Sequence, residues 1–261
     1  MILIDKLAYS SRLRRKSPAL KVVFSVSSLL LCVAARSLPV SVCILAVMSV
    51  LTVKAGGIPL RRDGKLMAVP LGFLILSTVA VVFHLSAEPS ALFSIPLGAR
   101  YLSVDSASLL YGLRLVLTAF ASISCLYFLS LTTPLTDIFA VLRRAHCPEL
   151  ILELMFLVYR FLFVLLETGS AIQTSQRCRL GNRDKKTALH AAGLLLAMLL
   201  QLAFSRSSGI YDAMESRCYD GRIRVLSRTC RATAGETAAA ALLLALFAAA
   251  AGFGRFYGGA L

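Results

Sequence analysis

Arg177-Cys178-Arg179-Leu180-Gly181 and Arg217-Cys218-Tyr219-Asp220-Gly221 share one pattern, Arg-Cys-x-x-Gly, repeated forty residues apart. Each closes a stretch of helical character. The chemistry open to such a pair is recognition of a carboxylate, not the making or breaking of bonds. An Arg in the last turn of a helix is favoured by the negative end of the macrodipole, and a Gly four residues on can supply the left-handed residue that ends it. That reading makes Gly181 and Gly221 the helix caps. The guanidinium then projects past the helix end, and its planar fork of five donors suits a carboxylate on another protein. Two such ends suit two acidic grooves. Two ordinary capped helices in a basic protein would show the same spacing, since such caps close about a third to a half of helices. The pattern alone leaves both readings open.

Other chemistry is hard to find. Gly57 and Gly64-Lys65 superficially suggest a phosphate loop, but six residues separate the glycines where four are needed, and Leu66 stands where Ser or Thr would bind magnesium. His84, His146 and His190 are isolated, with no H-x-x-x-H and no Cys/His cluster, so metal-ligand spacing is absent. His84, near the outer end of an apolar span, reads as structural, because a metal site needs several converging donors. Cysteines 32, 43, 125, 147, 178, 218 and 230 occur singly, without C-x-x-C, and read as reduced thiols. No catalytic residue and no metal ligand set are assigned.

The elements that must position the two arginines lie in a membrane. The chain of 261 residues is 58% hydrophobic, lacks Trp, and has a mean hydropathy of +0.79. Such values belong to an integral membrane protein. Apolar segments near 19–35, 38–53, 66–87, 106–131 and 236–254 predict five spans. The basic N-terminus resembles a signal-peptide n-region, but a second apolar span follows the first within two or three residues, which reads as a helical hairpin. Within the spans, Arg114 is the only clear charge and suits snorkelling near the outer third of its helix. No span carboxylate marks a proton or ion path.

Net charge is +15, and in a membrane protein this is first an orientation signal, not an invitation to nucleic acid. The N-terminal segment, the 54–65 loop with Lys54, Arg61, Arg62 and Lys65, and the region from Arg143 to Arg231 are basic. Residues 86–105 carry only Arg100. The N-terminus is therefore expected in the cytoplasm, the loop around Pro89 and Pro96 outside, and the C-terminus outside. Three regions follow: a four-span membrane domain over 1–132, a cytoplasmic coupling module over 133–234, and a final transmembrane helix with a short C-terminus over 235–261.

The module opens on a short amphipathic helix. Thr133 suits its N-cap and Pro134 its first position, Leu135, Ile138, Phe139 and Leu142 share one face, and Cys147-Pro148 breaks it. Two longer apolar stretches follow, 150–172 and 188–204. In the first, Glu149, Glu153, Arg160 and Glu167 are spaced 4, 7 and 7, so Glu153, Arg160 and Glu167 form a narrow charged stripe on an otherwise apolar helix. If both stretches crossed, Arg177, Arg179, Arg183, Lys185 and Lys186 would lie outside, against the charge rule. Keeping both on the cytoplasmic side removes the conflict. The stretch 188–204 leads into 205–218, where Ile210, Met214 and Cys218 form one face.

At these residues the chain resembles a known family, the transmembrane T component of energy-coupling factor (ECF) transporters, in its cobalt/nickel form, CbiQ. Ile4-Asp5-Lys6-Leu7-Ala8-Tyr9, Ser11-Arg12-Leu13-Arg14 and Pro18 to Lys21 look like the opening of such proteins, and Pro134-Leu135-Thr136-Asp137 like a middle landmark. Ala213-Met214-Glu215-Ser216-Arg217-Cys218-Tyr219-Asp220-Gly221 is the most specific piece. The family carries two small-Arg-Gly motifs at the ends of two coupling helices that sit in grooves of two ABC ATPases. The resemblance maps them onto Gln176-Arg177-Cys178 and Ser216-Arg217-Cys218, with Arg179 a second candidate in the first motif. Cys178 and Cys218 stand where the family has Gly.

The fold expected is an all-α integral membrane protein of about five transmembrane helices plus a cytoplasmic-side module of long amphipathic coupling helices. The resemblance implies a non-catalytic scaffold subunit in a bacterial or archaeal cell membrane. It implies two CbiO-like ABC ATPase subunits that carry ATP and magnesium, a CbiM-like membrane subunit that captures cobalt or nickel, lipid around the spans, and no cofactor in this chain. A self-contained secondary carrier or channel is the alternative, and an integral membrane enzyme a third class. A carrier should show inverted repeats or span carboxylates, and an enzyme clustered polar residues in one plane. Neither pattern is visible.

Overall fold

Within a bilayer every backbone N–H and C=O must find its partner inside the chain, which long apolar runs achieve as helices. The computed structural model describes residues 3–35, 37–82, 84–86, 93–97, 100–104, 106–221, 223 and 233–258. The chain divides into two units, residues 142–227 and residues 2–141 with 228–261.

The larger unit starts with α1 (Leu3–Ser10), a 3-10 turn (Arg12–Arg15), α2 (Pro18–Ala35) and α3 (Leu38–Val50), which runs on as a π turn (Leu51–Ala55). Then come α4 (Leu60–Val82), three short strands, α5 (Ser106–Thr132), α6 (Leu135–Arg144) and, after the smaller unit, the last helix (Ala234–Gly258). α4 begins inside the basic segment read as a loop, so Arg61, Arg62, Asp63 and Lys65 occupy its first turns. The smaller unit holds α7 (Glu149–Cys178) and α8 (Lys185–Glu215), which makes the last helix α9.

Six of these helices are long and apolar enough to cross a membrane: α2, α3 with its π turn, α4, α5, α8 and α9. Together with the family reported below, they make the chain a multi-pass, all-α membrane protein. Five correspond to the spans read from sequence; the sixth is α8, whose length and composition qualify although its flanking charge argued for the cytoplasmic side.

The segment between α4 and α5 differs from the expected loop. Strands β1 (His84–Ser86), β2 (Phe93–Leu97) and β3 (Arg100–Val104) form an antiparallel sheet in the order β1-β3-β2, with Phe93 opposite Val104 and His84 opposite Ser103. Pro96, read as a loop residue, lies on β2, an edge strand, where its missing N–H removes no ladder bond from a central position. Pro89 falls outside the described residues.

The core of the larger unit joins α2, α3, α5 and α9 through Phe24, Cys32, Val40, Ile44, Met48, Ala121, Cys125, Phe128 and Phe247. Phe24 and Phe128 meet edge to face at 6.1 Å. Small polar side chains let the helices approach closely: Ser25 Oγ donates to the Cys125 carbonyl at 2.7 Å, and the Ser41 and Thr118 hydroxyls pair at 3.1 Å. Gly112 serves the same purpose between α5 and α4, since a Cβ there would stand 2.8 Å from a Val82 methyl.

The joint at the end of α5 is polar and buried. Lys21 is 4% exposed, and its Nζ donates to the carbonyls of Leu13 at 3.1 Å and Thr132 at 3.0 Å. Thr132, Thr133 and Pro134 are fully buried beside it in sequence, where α5 hands over to α6. A cation on the last carbonyl of a helix meets the negative end of its dipole. Replacing Lys21 by Met should strand the Thr132 carbonyl, leave the Leu13 carbonyl with only the Lys16 N–H, and lower stability by about 1–3 kcal/mol. The exposed pair of Lys16 with Glu236 at 3.1 Å should matter far less, so Lys16→Met should change stability by under about 1 kcal/mol. Thermal unfolding of the detergent-solubilised variants measures both.

Candidate docking ends

α7 extends over 30 residues and α8 over 31. Within α7, Leu152 and Glu153 are buried, and Tyr159 packs edge to face on Phe163 one turn later at 5.0 Å. The helices run antiparallel. Gln176 Nε2 donates to the Ala191 carbonyl at 2.9 Å, a Cβ on Gly169 would lie 3.5 Å from Leu199, and Glu153 reaches Tyr219, so later residues of α7 meet earlier residues of α8. Asp184 and Thr187 start α8, the backbone N–H of the first donating to the hydroxyl of the second at 2.9 Å.

Both helix ends close in the same way. At the end of α7, Leu180 N–H donates to the Arg177 carbonyl at 3.1 Å and Gly181 N–H to the Gln176 carbonyl at 2.8 Å, with Leu180 left-handed at φ 58°. At the end of α8, Cys218 N–H donates to the Glu215 carbonyl at 2.9 Å and Tyr219 N–H to the Met214 carbonyl at 3.1 Å, with Cys218 left-handed at φ 58°. Each is a Schellman cap. Neither glycine holds the left-handed position expected of it. Gly181 comes one residue later, where a Cβ would stand 2.9 Å from the Gln176 carbonyl oxygen, and Gly221 takes φ 82° in the turn beyond Tyr219.

Overlaying the caps changes the pairing of the arginines. The residue directly before the left-handed position is Arg179 in one end and Arg217 in the other, so Arg179 is the geometric counterpart of Arg217. Arg177 corresponds to Glu215 instead. The repeat of letters and the repeat of geometry are therefore out of step by two residues. Arg177, Cys178, Arg179, Ser216, Arg217 and Cys218 are all exposed.

The charged stripe is divided. Glu153 is 6% exposed, whereas Arg160 and Glu167 are open to the surroundings. Glu153 Oε2 accepts from the Tyr219 hydroxyl at 2.8 Å and Oε1 from the Ile223 N–H at 2.7 Å. The carboxylate holding its proton raises Tyr219 above the ordinary tyrosine range. A raised value means that the bond stabilises the fold fully below the ordinary tyrosine range and is lost as pH climbs through the raised one. Among the described residues, no three His, Cys, Asp or Glu side chains gather as a metal site, and the six described cysteines are free.

A family model described as CbiQ, cobalt transport protein, matches residues 10–227. The chain belongs to the CbiQ family. It is 31% identical over 224 residues to the cobalt transport protein CbiQ of Rhodobacter capsulatus, a match covering 86% of this chain and 87% of that one. Against the cobalt transport protein CbiQ of Salmonella typhimurium the identity is 26% over 224 residues, covering 84% and 97%. A fused cobalt transport protein, CbiMQ, of Methanocorpusculum labreanum is 28% identical over 219 residues; this match covers 84% of the chain and 37% of the fusion.

As a CbiQ family member, the chain reads differently once the caps are aligned. Cys178-Arg179-Leu180 and Ser216-Arg217-Cys218 each place a small residue, an Arg and a left-handed residue in order, with Leu and Cys where small-Arg-Gly would have Gly. An L-residue held left-handed costs roughly 1–2 kcal/mol, part of which Gly gives back in unfolded-state entropy. Leu180 is exposed, so little burial is lost on shortening it. Leu180→Gly should stabilise the end of α7 by about 0.5–1 kcal/mol, and Leu180→Val, β-branched, should weaken it. Hydrogen exchange of the Leu180 and Gly181 amides reads both changes.

Proposed function

We propose that the chain is the T subunit of an ECF-type importer for cobalt or nickel ions, a non-catalytic scaffold that passes the work of two ATPases to a substrate-binding membrane subunit. The observation that carries this reading is the pair of matching helix ends, each with an exposed Arg directly before a left-handed residue, on two long helices of one unit. An Arg so placed points a two-pronged donor beyond the helix, which a groove lined with carboxylates would take. The family matched is a cobalt transport family, and the fused CbiMQ relative, by its name, joins CbiM and CbiQ parts in one chain. That fusion supports a CbiM-like partner for this chain. ATP and magnesium would sit on CbiO-like ATPases, and the ion on the CbiM-like subunit.

Truncating one member of a buried, hydrogen-bonded charge pair costs about 2–5 kcal/mol, a weakening of roughly 30-fold to several thousandfold. Arg217→Ala and Arg179→Ala should each release one ATPase from the co-purified complex and strongly reduce metal uptake. The double variant should release both while the CbiM-like subunit stays bound. Arg177→Ala should have a smaller effect than Arg179→Ala, because it stands two residues before the docking position. Full transport and full ATPase retention in the Arg179/Arg217 double variant would leave the ends as plain caps, and transport with no ATPase bound would favour a self-contained carrier.

The same reading puts the N-terminus and residues 133–234 in the cytoplasm, because Arg177, Arg179, Arg183, Lys185 and Lys186 follow the positive-inside rule. α8 then lies along the membrane face or among partner helices despite its apolar length. Ser175→Cys and Arg183→Cys should react with a membrane-impermeant maleimide only in inverted vesicles. Labelling in intact cells would place the turn outside and α7 across the bilayer.

A further inference from the structure

We infer that Glu153 is a positioning residue for the second docking end, a latch by which α7 sets the direction in which Arg217 projects. The inference rests on the docking role proposed above. Its basis is the two-sided grip of one carboxylate on the turn that follows Arg217. Tyr219 closes the Schellman cap through its backbone N–H on Met214 and gives its hydroxyl proton to Glu153 Oε2. Gly221, at φ 82°, turns the chain, and Ile223 returns its N–H to Glu153 Oε1 at 2.7 Å. Both oxygens are thus used, one by Tyr219 and one by Ile223, and Arg217 lies two residues before the first of these anchors.

Glu153 is buried in a helix whose other carboxylate and guanidinium of the stripe, Glu167 and Arg160, are exposed. A buried carboxylate is costly unless its lone pairs are taken up, and here they are taken up by the segment beside Arg217. The position along α7 matters as well. Glu153 stands in the second turn and Arg179 just past the last, so roughly 40 Å of helix at 1.5 Å per residue separates the latch from the first docking end. α7 therefore bears one docking end at its C-terminus and grips the other near its N-terminus. A latch at this place sets the second end and leaves the first untouched.

Cys178 and Cys218, one exposed thiol at each end, provide the readout. The experiment uses the full complex with its ATPases and follows alkylation of each cysteine by peptide mass spectrometry. In the wild type, bound ATPases should slow alkylation at both cysteines; protection at neither would refute the docking role itself, separately from the latch. In Glu153→Ala, Cys218 should lose its protection, its alkylation rate rising roughly tenfold or more, while Cys178 remains protected. Glu153→Gln should restore much of the protection, since an amide can accept from Ile223 N–H and donate to the Tyr219 oxygen. Tyr219→Phe, which keeps the Ile223 arm, should fall between wild type and Glu153→Ala. Undiminished protection of Cys218 in Glu153→Ala overturns the latch. So does loss at both ends, which would make Glu153 a support of the whole unit, and so does a Gln variant no better than Ala.

Discussion

A single buried ammonium ties the larger unit together at its polar edge. Lys21, near the start of α2, closes on the Leu13 carbonyl within the N-terminal 3-10 turn and on the Thr132 carbonyl that ends α5. Two neighbouring segments and the distant end of α5 thus share one cation, which sits where burial makes a charge-assisted bond strong and its absence costly. The chain leaves this joint through Thr133 and Pro134, both buried, and continues into α6, whose Phe139 is buried too. The path from the membrane helices toward the two long helices thus begins at a fixed point.

In the smaller unit the equivalent part is played by an anion. Glu153 accepts where Lys21 donates, and each satisfies backbone groups that the regular helices leave unpaired. Gln176 adds a third tie, from the end of α7 to the Ala191 carbonyl. Lys21 and Glu153 bind backbone dipoles near the ends of elements, and Gln176 binds one within the second turn of α8. The joints of the fold are built from polar side chains on backbone groups, with apolar packing between them.

The spans were legible because burial in lipid needs long runs of apolar residues, and α2, α3, α5 and α9 carry such runs. α8 was harder, since its composition suits a span while the arginines and lysines before it argue for the basic side. The strands near Pro96 were hidden because proline reads as a breaker, although Phe93, Ile95 and Leu97 alternate with Ser94 and Pro96 in the period of a strand. At the two capped helix ends the arginines were visible but their register was not. Sequence logic looks for glycine at a left-handed residue, and here Leu180 and Cys218 adopt it. The partner of Glu153 was equally out of reach, for Tyr219 lies 66 residues away and periodicity reports only which residues share a face.

The antiparallel arrangement of α7 and α8 has a mechanical corollary. A helix resists compression far more than two helices resist changing their crossing angle, so the span between latch and tip behaves as a ruler of constant length. Because Glu153 ties the second end to α7, a partner pair that moves its two binding grooves must carry both tips together and turn the hairpin as one body. Motion of this kind would pass work at the tips into a rotation of the hairpin as a whole, with no residue of either helix unwound.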